Sequence, residues 1–593
     1  MIQRKRAVQK KHIIGLDGLR GIATAAVVLY HMFPRQVKGG FLGVSLFFVL
    51  SGYLMAVTSE RMAKEEGFYI LSFFKKRILK IYPALIAVVG LTVIVLGVFI
   101  KIPLNHIQGE ILSIVGGYNN WWQISQNTSY FTKVSGTSGL IHLWSLAVEI
   151  QFYIIWPALF LVYRMISRKA GRKAGIQIFL ILSILSLMMA ILLYRPGEDA
   201  TRIYYGTDTR IYALLFGSAL GFMRVETKQR TRKKAGRLSG VIFIVCMAAI
   251  SILFTVADGQ SALTYWIYLP IACFLFLILV SISANPALPF GNLLDATPFS
   301  WIGKYSYEIY LCQYPVTFTF KILNKGKYSF WQVILELLIV LLISWILHNS
   351  FVIGRKREQK RWLQIVSVSV FLLVGMGFIL SFGKSAERGD QNELREELQA
   401  NADLMNVQKE DTNENNISDE VKSEENNENL QQSGSGADIL FIGDSVMLGA
   451  GAELQNTVPD CIVEAAESRQ VWDATEIVNE LKEEGRLGNC VVVGLGSNGS
   501  FDEWRGQELI DAIGTDRKIY WISVYGQYMT WQESVNDMIG RLADANENVT
   551  VIDWADFAQG HSEWFYNDGM HLNDDGQAAY ADFLNENLFS LEK

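Results

Sequence analysis

The chain has 593 residues, more than one folded domain usually contains; half of them are apolar and only 19% are charged. The formal net charge of -5 averages a basic N-terminal part and an acidic C-terminal part, and nothing in the sequence is typical of nucleic-acid binding. The five cysteines lack the spacing of metal ligands, so no metal site is predicted, and pairing of Cys461 with Cys490 stays open.

Long apolar runs crowd the first part of the chain, and each is close to the length that crosses the hydrocarbon core of a bilayer as a helix. The pattern predicts a polytopic α-helical membrane domain over residues 1–383 with about eleven spans. The predicted spans are 13–33, 41–58, 82–101, 143–163, 176–194, 209–224, 238–256, 264–283, 299–320, 331–353 and 362–382.

Lysine and arginine crowd the N-terminus and alternate connections between the predicted spans. This asymmetry predicts a multi-pass protein of the cell membrane with a cytoplasmic N-terminus and an extracytoplasmic C-terminal domain. Residues 384–436 are rich in Glu, Asn, Gln, Asp and Ser and poor in large apolar residues, which predicts a disordered acidic and polar linker. Residues 437–593 alternate apolar strand candidates with helical stretches, which is typical of a parallel α/β domain.

A serine of the C-terminal domain lies where open parallel sheets place their catalytic groups, because Ser445 follows the first predicted strand through Gly443 and Asp444. Near the end of the domain, Asp568 and His571 stand three residues apart, and a short turn there lets a carboxylate orient an imidazole. Taken singly, each of these short motifs is also typical of a turn or a helix cap.

Between these two motifs, a Gly-Ser-Asn sequence ends at Asn498 and offers an amide side chain for an oxyanion hole. The three blocks in this order resemble the SGNH hydrolase family, which implies a flavodoxin-like three-layer α/β fold. The resemblance implies that Ser445 is the nucleophile, His571 the general base and Asp568 its orienting carboxylate. It further implies oxyanion donors at Asn498 and at the backbone N–H of Ser468, which stands where the family usually has a glycine.

Ionisable side chains inside predicted spans are costly and are therefore functional candidates. Arg20 and His31 are eleven residues apart, which returns to nearly the same helix face about 16 Å further along. We therefore expect both to line one cavity. His142 and Glu149 share a face two turns apart. Further candidates are Tyr205, Asp208 and Arg210 at the start of a span, and the cytoplasmic cations Lys76, Arg77 and Lys80, which suit a phosphate-rich donor or ordinary anchoring.

These segments resemble acyltransferase family 3, over Leu16 to Ala23, Phe48 to Tyr53, Arg77 to Pro83, His142 to Pro157, Thr207 to Arg210 and Lys304 to Pro315. The resemblance implies acetyl-CoA as the acyl donor and a transfer site built on His31 and Arg20. It also implies supporting roles for Glu149, Asp208 and Arg210. Lys80 stands where the family often has a second arginine, and Gln313 where many members have a histidine.

The fusion of these two parts is similar to the peptidoglycan O-acetyltransferases of Gram-positive bacteria. The likeness implies that acetyl crosses the membrane to a hydroxyl of peptidoglycan, with muramic acid the expected acceptor sugar, through an acyl-serine. Two alternatives stay open from the sequence. In the first alternative, the acceptor is another exported glycan such as teichoic acid. In the second, the C-terminal domain is a tethered carbohydrate esterase.

Overall fold

The computed structural model describes residues 13–34, 36–65, 67–100, 107–125, 138–195, 200–224, 233–259, 261–324, 329–351, 394, 396–403, 438–529, 531–566 and 568–590. Its N-terminal part is helical throughout. The helices are α1 (Leu16–Met32), α2 (Gly43–Glu65), α3 (Ile70–Ile94), α4 (Ile107–Gly116), α5 (Asn119–Ser125), α6 (Trp144–Ala170), α7 (Arg172–Leu193), α8 (Thr201–Tyr205), α9 (Thr207–Arg224), α10 (Lys233–Val256), α11 (Leu269–Ser283), α12 (Phe290–Asp295), α13 (Pro298–Lys304), α14 (Ser306–Leu323) and α15 (Phe330–Phe351).

Seven helical segments among the described residues are long and apolar enough to cross a bilayer. Ten of the predicted spans coincide with helices, and the predicted span 362–382 lies outside the described residues. The structure differs from the prediction in two places. Helix α3 begins at Ile70, twelve residues before the predicted start, and the predicted span 299–320 is divided between α13 and α14 at Tyr305.

Helices of the membrane domain cross closely where glycine removes the side chain. A Cβ atom added to Gly21 of α1 would lie 1.8 Å from the carbonyl oxygen of Phe299. A Cβ atom added to Gly303 of α13 would lie 1.7 Å from the carbonyl oxygen of Asp17. Helices α2 and α9 meet in the same way at Gly52. Small residues are the means by which helices pack in a lipid environment, so these crossings fix the helices that carry the polar groups described below.

The C-terminal domain is a five-stranded parallel sheet with helices on both faces. Its strands are β1 (Ile439–Gly443), β2 (Ile462–Ala465), β3 (Cys490–Gly494), β4 (Lys518–Ile522) and β5 (Val549–Ile552), in the spatial order β2-β1-β3-β4-β5. Its helices are α16 (Ser445–Gly449), α17 (Gly451–Thr457), α18 (Val471–Glu483), α19 (Glu503–Ile513), α20 (Gln532–Ala545), α21 (Trp554–Phe557) and α22 (Asp574–Ser590). The strand order is that of flavodoxin-like doubly wound sheets.

The two faces of the sheet bury separate apolar clusters, one beneath α16, α17 and α22 and the other beneath α18, α19 and α20. The inner strand β1 is buried along its whole length, which explains its continuous apolar sequence. Four of the strands were predicted; β2 was not, because the buried Glu464 interrupts its apolar pattern. Among the described residues, no disulfide joins Cys461 to Cys490.

The prediction of a disordered linker over residues 384–436 is wrong for its described part. Residues 394 and 396–403 are helical, and the Leu398 side chain is buried in the apolar cluster of the C-terminal domain. A single buried leucine within a polar helix leaves little trace in composition, which explains why the composition was misleading here. We call residues 394–403 the docked segment.

Candidate active site and transfer site

Ser445 is placed by the junction of β1 and α16. Strand β1 ends at Gly443, and the Asp444 carboxylate accepts a hydrogen bond of 3.1 Å from the Val446 backbone N–H, which caps the helix that begins at Ser445. The sheet order places β1 between β2 and β3, so the loops after β2 and β3 flank this serine. Its position is the switch point at the carboxyl edge, where open α/β sheets bind their ligands.

The structure brings the three predicted catalytic residues together. The Ser445 hydroxyl lies 2.9 Å from Nε2 of His571, and Nδ1 of the same imidazole lies 2.5 Å from Oδ2 of Asp568. The other carboxylate oxygen of Asp568 accepts the backbone N–H groups of Met570 and His571, each at 2.9 Å. The carboxylate is thereby fixed, and it fixes the tautomer and direction of the imidazole.

Charge and burial act in opposite directions on the catalytic imidazole. Burial alone would lower the pKa of His571, but the hydrogen bond and negative charge of Asp568 outweigh it and raise that pKa above the ordinary value. Burial would likewise raise the pKa of Asp568, yet its bonds from the imidazole and from two backbone amides lower it. The imidazole is therefore a stronger base than a free histidine.

The predicted oxyanion donors lie on the loops that flank Ser445. The Asn498 amide nitrogen donates to the Arg469 carbonyl oxygen at 3.2 Å, which leaves its second N–H for other acceptors. Ser468 has φ of 62°, in the left-handed region that favours glycine. This conformation explains why a related site would have a glycine here, and it turns the backbone between β2 and α18.

Two buried polar groups behind the triad were not identified from the sequence. Arg469 forms an ion pair of 2.8 Å with Glu464 of β2 and donates to the Gly443 carbonyl oxygen at 3.3 Å, so it ties the β2 loop to the end of β1. Asp444 accepts a hydrogen bond from the Ser497 hydroxyl, which ties in the β3 loop. A charged residue within a strand, as at Glu464, is the signal that could have found the first group.

The docked segment contacts both halves of the catalytic site. The Asn401 amide donates to the carbonyl oxygens of Leu448 and Gly449, at 3.1 and 2.8 Å, at the end of the helix that carries Ser445. Glu397 accepts hydrogen bonds from the Tyr566 hydroxyl, at 2.7 Å, and from Gln577. Those two residues lie on either side of the loop that carries Asp568 and His571.

A cavity of about 130 Å³ lies within the membrane domain and collects four of the predicted polar residues. It is lined by Arg20, Phe47, Phe48, Ser51, Leu54, Arg77, Lys80, Ile81, Ser145, Leu146, Glu149, Tyr153, Ser306, Tyr307 and Tyr310. Glu149 accepts the hydroxyls of Ser51, at 2.5 Å, and Tyr153, and the Arg77 guanidinium lies 4.7 Å from the Tyr153 ring centre. Lys76 is exposed and does not line this cavity.

His31 is not among the residues that line this cavity, whereas Arg20 is, so this cavity does not hold both of them. The rise of about 16 Å between them places the two side chains at different depths. His31 is fully buried, and its Nδ1 lies 3.0 Å from the amide oxygen of Gln313, 282 residues away. The Tyr314 ring lies 4.8 Å from His31 and 5.2 Å from His142.

His142 is likewise separate from the cavity that Glu149 lines, although the two were expected to share a face. The residue lies in a 3₁₀ turn, Ile141–Leu143, before α6, and one 3₁₀ turn has a different period from the helix that follows. Tyr310 joins the two levels. Its hydroxyl lines the cavity, contacts Ser145 at 2.8 Å and hydrogen-bonds to the His142 carbonyl oxygen.

Arg210 and Tyr205 are fully buried at the start of α9 and the end of α8. The Arg210 guanidinium donates to the Ser45 hydroxyl at 3.1 Å, while its Nε and Nη1 have no partner among the described residues. Asp208 instead forms a two-bonded ion pair with Arg202, at 2.7 and 3.0 Å, so it does not neutralise Arg210. Asp208 and Arg210, both candidates from the sequence, therefore have different polar partners.

The fold and the two polar sites define a class of protein. A cavity with cationic walls lies within a bundle of membrane-length helices, and a Ser-His-Asp triad suited to acyl transfer lies on a separate α/β domain. These features are those of a membrane-bound enzyme that handles acyl groups.

Comparison with known proteins agrees with this class. Residues 13–349 match the family model described as Acyltransferase domain. The peptidoglycan O-acetyltransferase OatA of Listeria monocytogenes is 31% identical over 98% of this chain and 99% of its own, and the O-acetyltransferase OatA of Staphylococcus aureus is 30% identical over 97% and 96%. The chain therefore belongs to this acyltransferase family, and it is an acyltransferase.

Among solved structures, the C-terminal catalytic domain of Streptococcus pneumoniae peptidoglycan O-acetyltransferase A, determined with a methylsulfonyl adduct, aligns with 26% of this chain and 93% of its own length. The sequence identity is 23% and the TM-score is 0.24.

Proposed function

We propose that this enzyme transfers acetyl from cytosolic acetyl-CoA across the membrane to a hydroxyl of cell-wall peptidoglycan, with muramic acid as the acceptor sugar. The observation that carries the proposal is the hydrogen-bonded series from Ser445 through His571 to Asp568, at 2.9 and 2.5 Å. The O-acetyltransferases of L. monocytogenes and S. aureus that match nearly the full chain support the same reaction. In this proposal the C-terminal part is an extracytoplasmic SGNH domain.

The chemistry at the triad takes two balanced steps. In the first, the Ser445 oxygen attacks the acetyl carbonyl carbon while His571 takes the hydroxyl proton, and the donor leaves with that proton. In the second, a glycan hydroxyl gives its proton to His571 and attacks the acetyl ester on Ser445. The product is an acetylated glycan, and Ser445 regains its proton. Asn498 and the backbone N–H groups of Ser445 and Ser468 stabilise the oxyanion in both steps.

The membrane domain supplies acetyl to this triad. Arg20, Arg77 and Lys80 give the cavity three cationic walls, which suit the phosphate groups of a coenzyme A thioester that enters from the cytoplasm. Glu149 lines the same cavity and accepts hydrogen bonds from the Ser51 and Tyr153 hydroxyls. Tyr310 leads from this cavity toward His142 and His31, which assist transfer to a carrier such as Tyr205 that takes the acetyl outward. The basic connections between the helices support a cytoplasmic N-terminus and a triad outside the membrane.

The first test is ester-linked acetate on purified cell-wall glycan from cells that carry the wild-type protein, Ser445→Ala or His31→Ala. We expect both variants to lose at least nine tenths of the acetate, because both ends of one transfer path are required. Asp575→Asn, an exposed residue of α22, is the matched control and should retain wild-type acetate.

Two results would contradict the proposal. Unchanged wall acetate in both variants would mean that the acceptor is another exported polymer, such as teichoic acid. A rise in acetate with Ser445→Ala alone would identify the C-terminal domain as an esterase that removes acetyl from the wall.

A further inference from the structure

Two tryptophans and an arginine form a stack on the C-terminal domain, separate from the triad. The Arg505 guanidinium lies 4.4 Å from the ring centre of Trp472 and 4.7 Å from that of Trp504. We call these three residues the Trp-Arg-Trp stack. Trp504 is 57% exposed, so much of its side chain is open to solvent.

The stack stands at the carboxyl edge of the sheet. Trp472 is in the first turn of α18, which follows the β2 loop with Ser468, and Trp504 and Arg505 are in the first turn of α19, which follows the β3 loop with Asn498. These are the two loops that flank Ser445 in the strand order. The stack therefore borders the site from which the acyl group leaves.

Trp472 packs against the apolar cluster beneath α18, α19 and α20, but core packing does not account for Trp504 or Arg505. The described residues give the Arg505 side chain no hydrogen bond or ion pair, and its contacts are the two indoles and the nearby charge of Asp502. The stack holds the guanidinium and the Trp504 ring in fixed orientations, because a cation and an aromatic face attract each other. A rigid, exposed indole beside the N–H groups of the Arg505 guanidinium is a surface to which a ligand can bind.

The chemistry of such a surface fits a sugar ring. A pyranose has an apolar face of C–H groups that packs against the electron-rich face of an indole, while its hydroxyl and acetamido oxygens accept hydrogen bonds from a guanidinium. We propose that the Trp-Arg-Trp stack is a subsite for a second sugar of the acceptor strand, next to the sugar whose hydroxyl enters the triad. This inference rests on the proposed function, because it assumes a glycan acceptor.

A subsite of this kind makes the reaction depend on acceptor length. A single disaccharide reaches the triad without the subsite, whereas a strand of several disaccharides occupies both. The experiment uses purified full-length protein in detergent, with p-nitrophenyl acetate as the acetyl donor. Soluble peptidoglycan strands of one, two and four disaccharides serve as acceptors, and acetylated product and free acetate are measured separately.

We expect wild-type protein to have a lower KM for the longer strands than for the disaccharide. Trp504→Ala should raise the KM for long strands about three- to tenfold, the range of one aromatic or cation–π contact, and leave the KM for the disaccharide unchanged. Trp504→Phe should keep most of the length preference. The rate of p-nitrophenyl acetate hydrolysis without acceptor should be the same in the wild type, Trp504→Ala and Trp504→Phe. Equal rates would show that the triad is intact in each variant.

Phe557→Ala is the matched control, because Phe557 is a 43% exposed aromatic residue of α21, outside the stack. It should keep the wild-type length preference. The inference is overturned if Trp504→Ala retains that preference with hydrolysis intact. If wild-type protein acetylates no strand, the proposed function fails. Binding at the subsite is then tested separately, by the quenching of tryptophan fluorescence when strands are added to Ser445→Ala protein. Quenching that Trp504→Phe abolishes supports it, and its absence overturns it.

Discussion

The Asp568 carboxylate sets the base strength of His571, and it does so within a few residues of chain. Four contacts converge on this pair: two backbone amides and the imidazole on Asp568, and the Ser445 hydroxyl on His571. Because burial opposes the imidazolium and the carboxylate favours it, the charge of Asp568 decides the direction of the pKa shift.

This balance predicts a pH dependence. His571 acts as a base only when neutral, so kcat/KM for p-nitrophenyl acetate should fall as the pH drops through the raised pKa of His571, above 6.5. Asp568→Asn removes the favourable charge but keeps the burial, so the acid limb should move to lower pH. The plateau rate should fall on the order of 10³–10⁴-fold, because the imidazole loses its correct tautomer.

The measurement is kcat/KM from pH 4 to 9 for the wild type, Asp568→Asn and the exposed control Asp574→Asn. The control should reproduce the wild-type profile. An acid limb that stays in place in Asp568→Asn would contradict the assignment of that limb to His571.

At the scale of elements, the docked segment belongs to the catalytic domain. Its helix buries Leu398 against the sheet, and Asn401 and Glu397 contact the structures that carry Ser445 and His571 respectively. The segment therefore connects two parts of the triad that the sheet alone leaves on separate loops. The C-terminal domain has its own two apolar clusters, which is the property of a unit that folds on its own.

Removal of the docked segment should destabilise the C-terminal domain. A soluble protein that begins at residue 437 loses the burial of Leu398 and the hydrogen bonds of Asn401 and Glu397, compared with one that begins at residue 390. The expected loss is about 2–4 kcal/mol of unfolding free energy. Urea denaturation of the two proteins measures it directly.

Single substitutions within the longer protein separate the contacts from the length of the chain. Asn401→Ala should cost about 1–2 kcal/mol, whereas Gln399→Ala, on the exposed side of the same helix, should be neutral. Equal stability of the proteins that begin at residues 390 and 437 would show that the segment does not dock in solution.

At the scale of the molecule, the chain consists of two units with separate cores. The membrane domain has one continuous apolar cluster that contains no residue of the C-terminal sheet. Each unit also has its own polar site, the cavity with Arg20 and Glu149 and the triad with Ser445. Under the proposed function, the two sites depend on each other for the passage of acetyl and not for their structure.

The separation predicts a selective defect for His31→Ala. Purified full-length protein with this substitution should hydrolyse p-nitrophenyl acetate within about twofold of the wild type, since distant sites with no shared partners behave independently. Wall acetylation by the same variant should be lost. Ser445→Ala is the comparison and should lose both activities. A loss of ester hydrolysis in His31→Ala would mean that the two sites are structurally coupled.

The sequence by itself determined the features that depend on residues close along the chain. The triad was predicted from the resemblance of three ordered blocks to the SGNH hydrolase family. Each block is complete within a few residues, since Ser445 follows a strand directly and Asp568 and His571 share one turn. Most spans were predicted for the same reason, since the length of an apolar run is a local property.

Only the tertiary structure decided which polar groups meet. Gln313 departs from the family pattern, yet it bonds His31 across 282 residues, and Arg210 is left without the neighbouring Asp208. The composition of the docked segment predicts a polar linker, and only the structure shows that Leu398 is buried in the apolar cluster of the C-terminal domain. Such contacts depend on where helices cross and how deep each residue lies, and neither quantity has a periodic trace in the sequence.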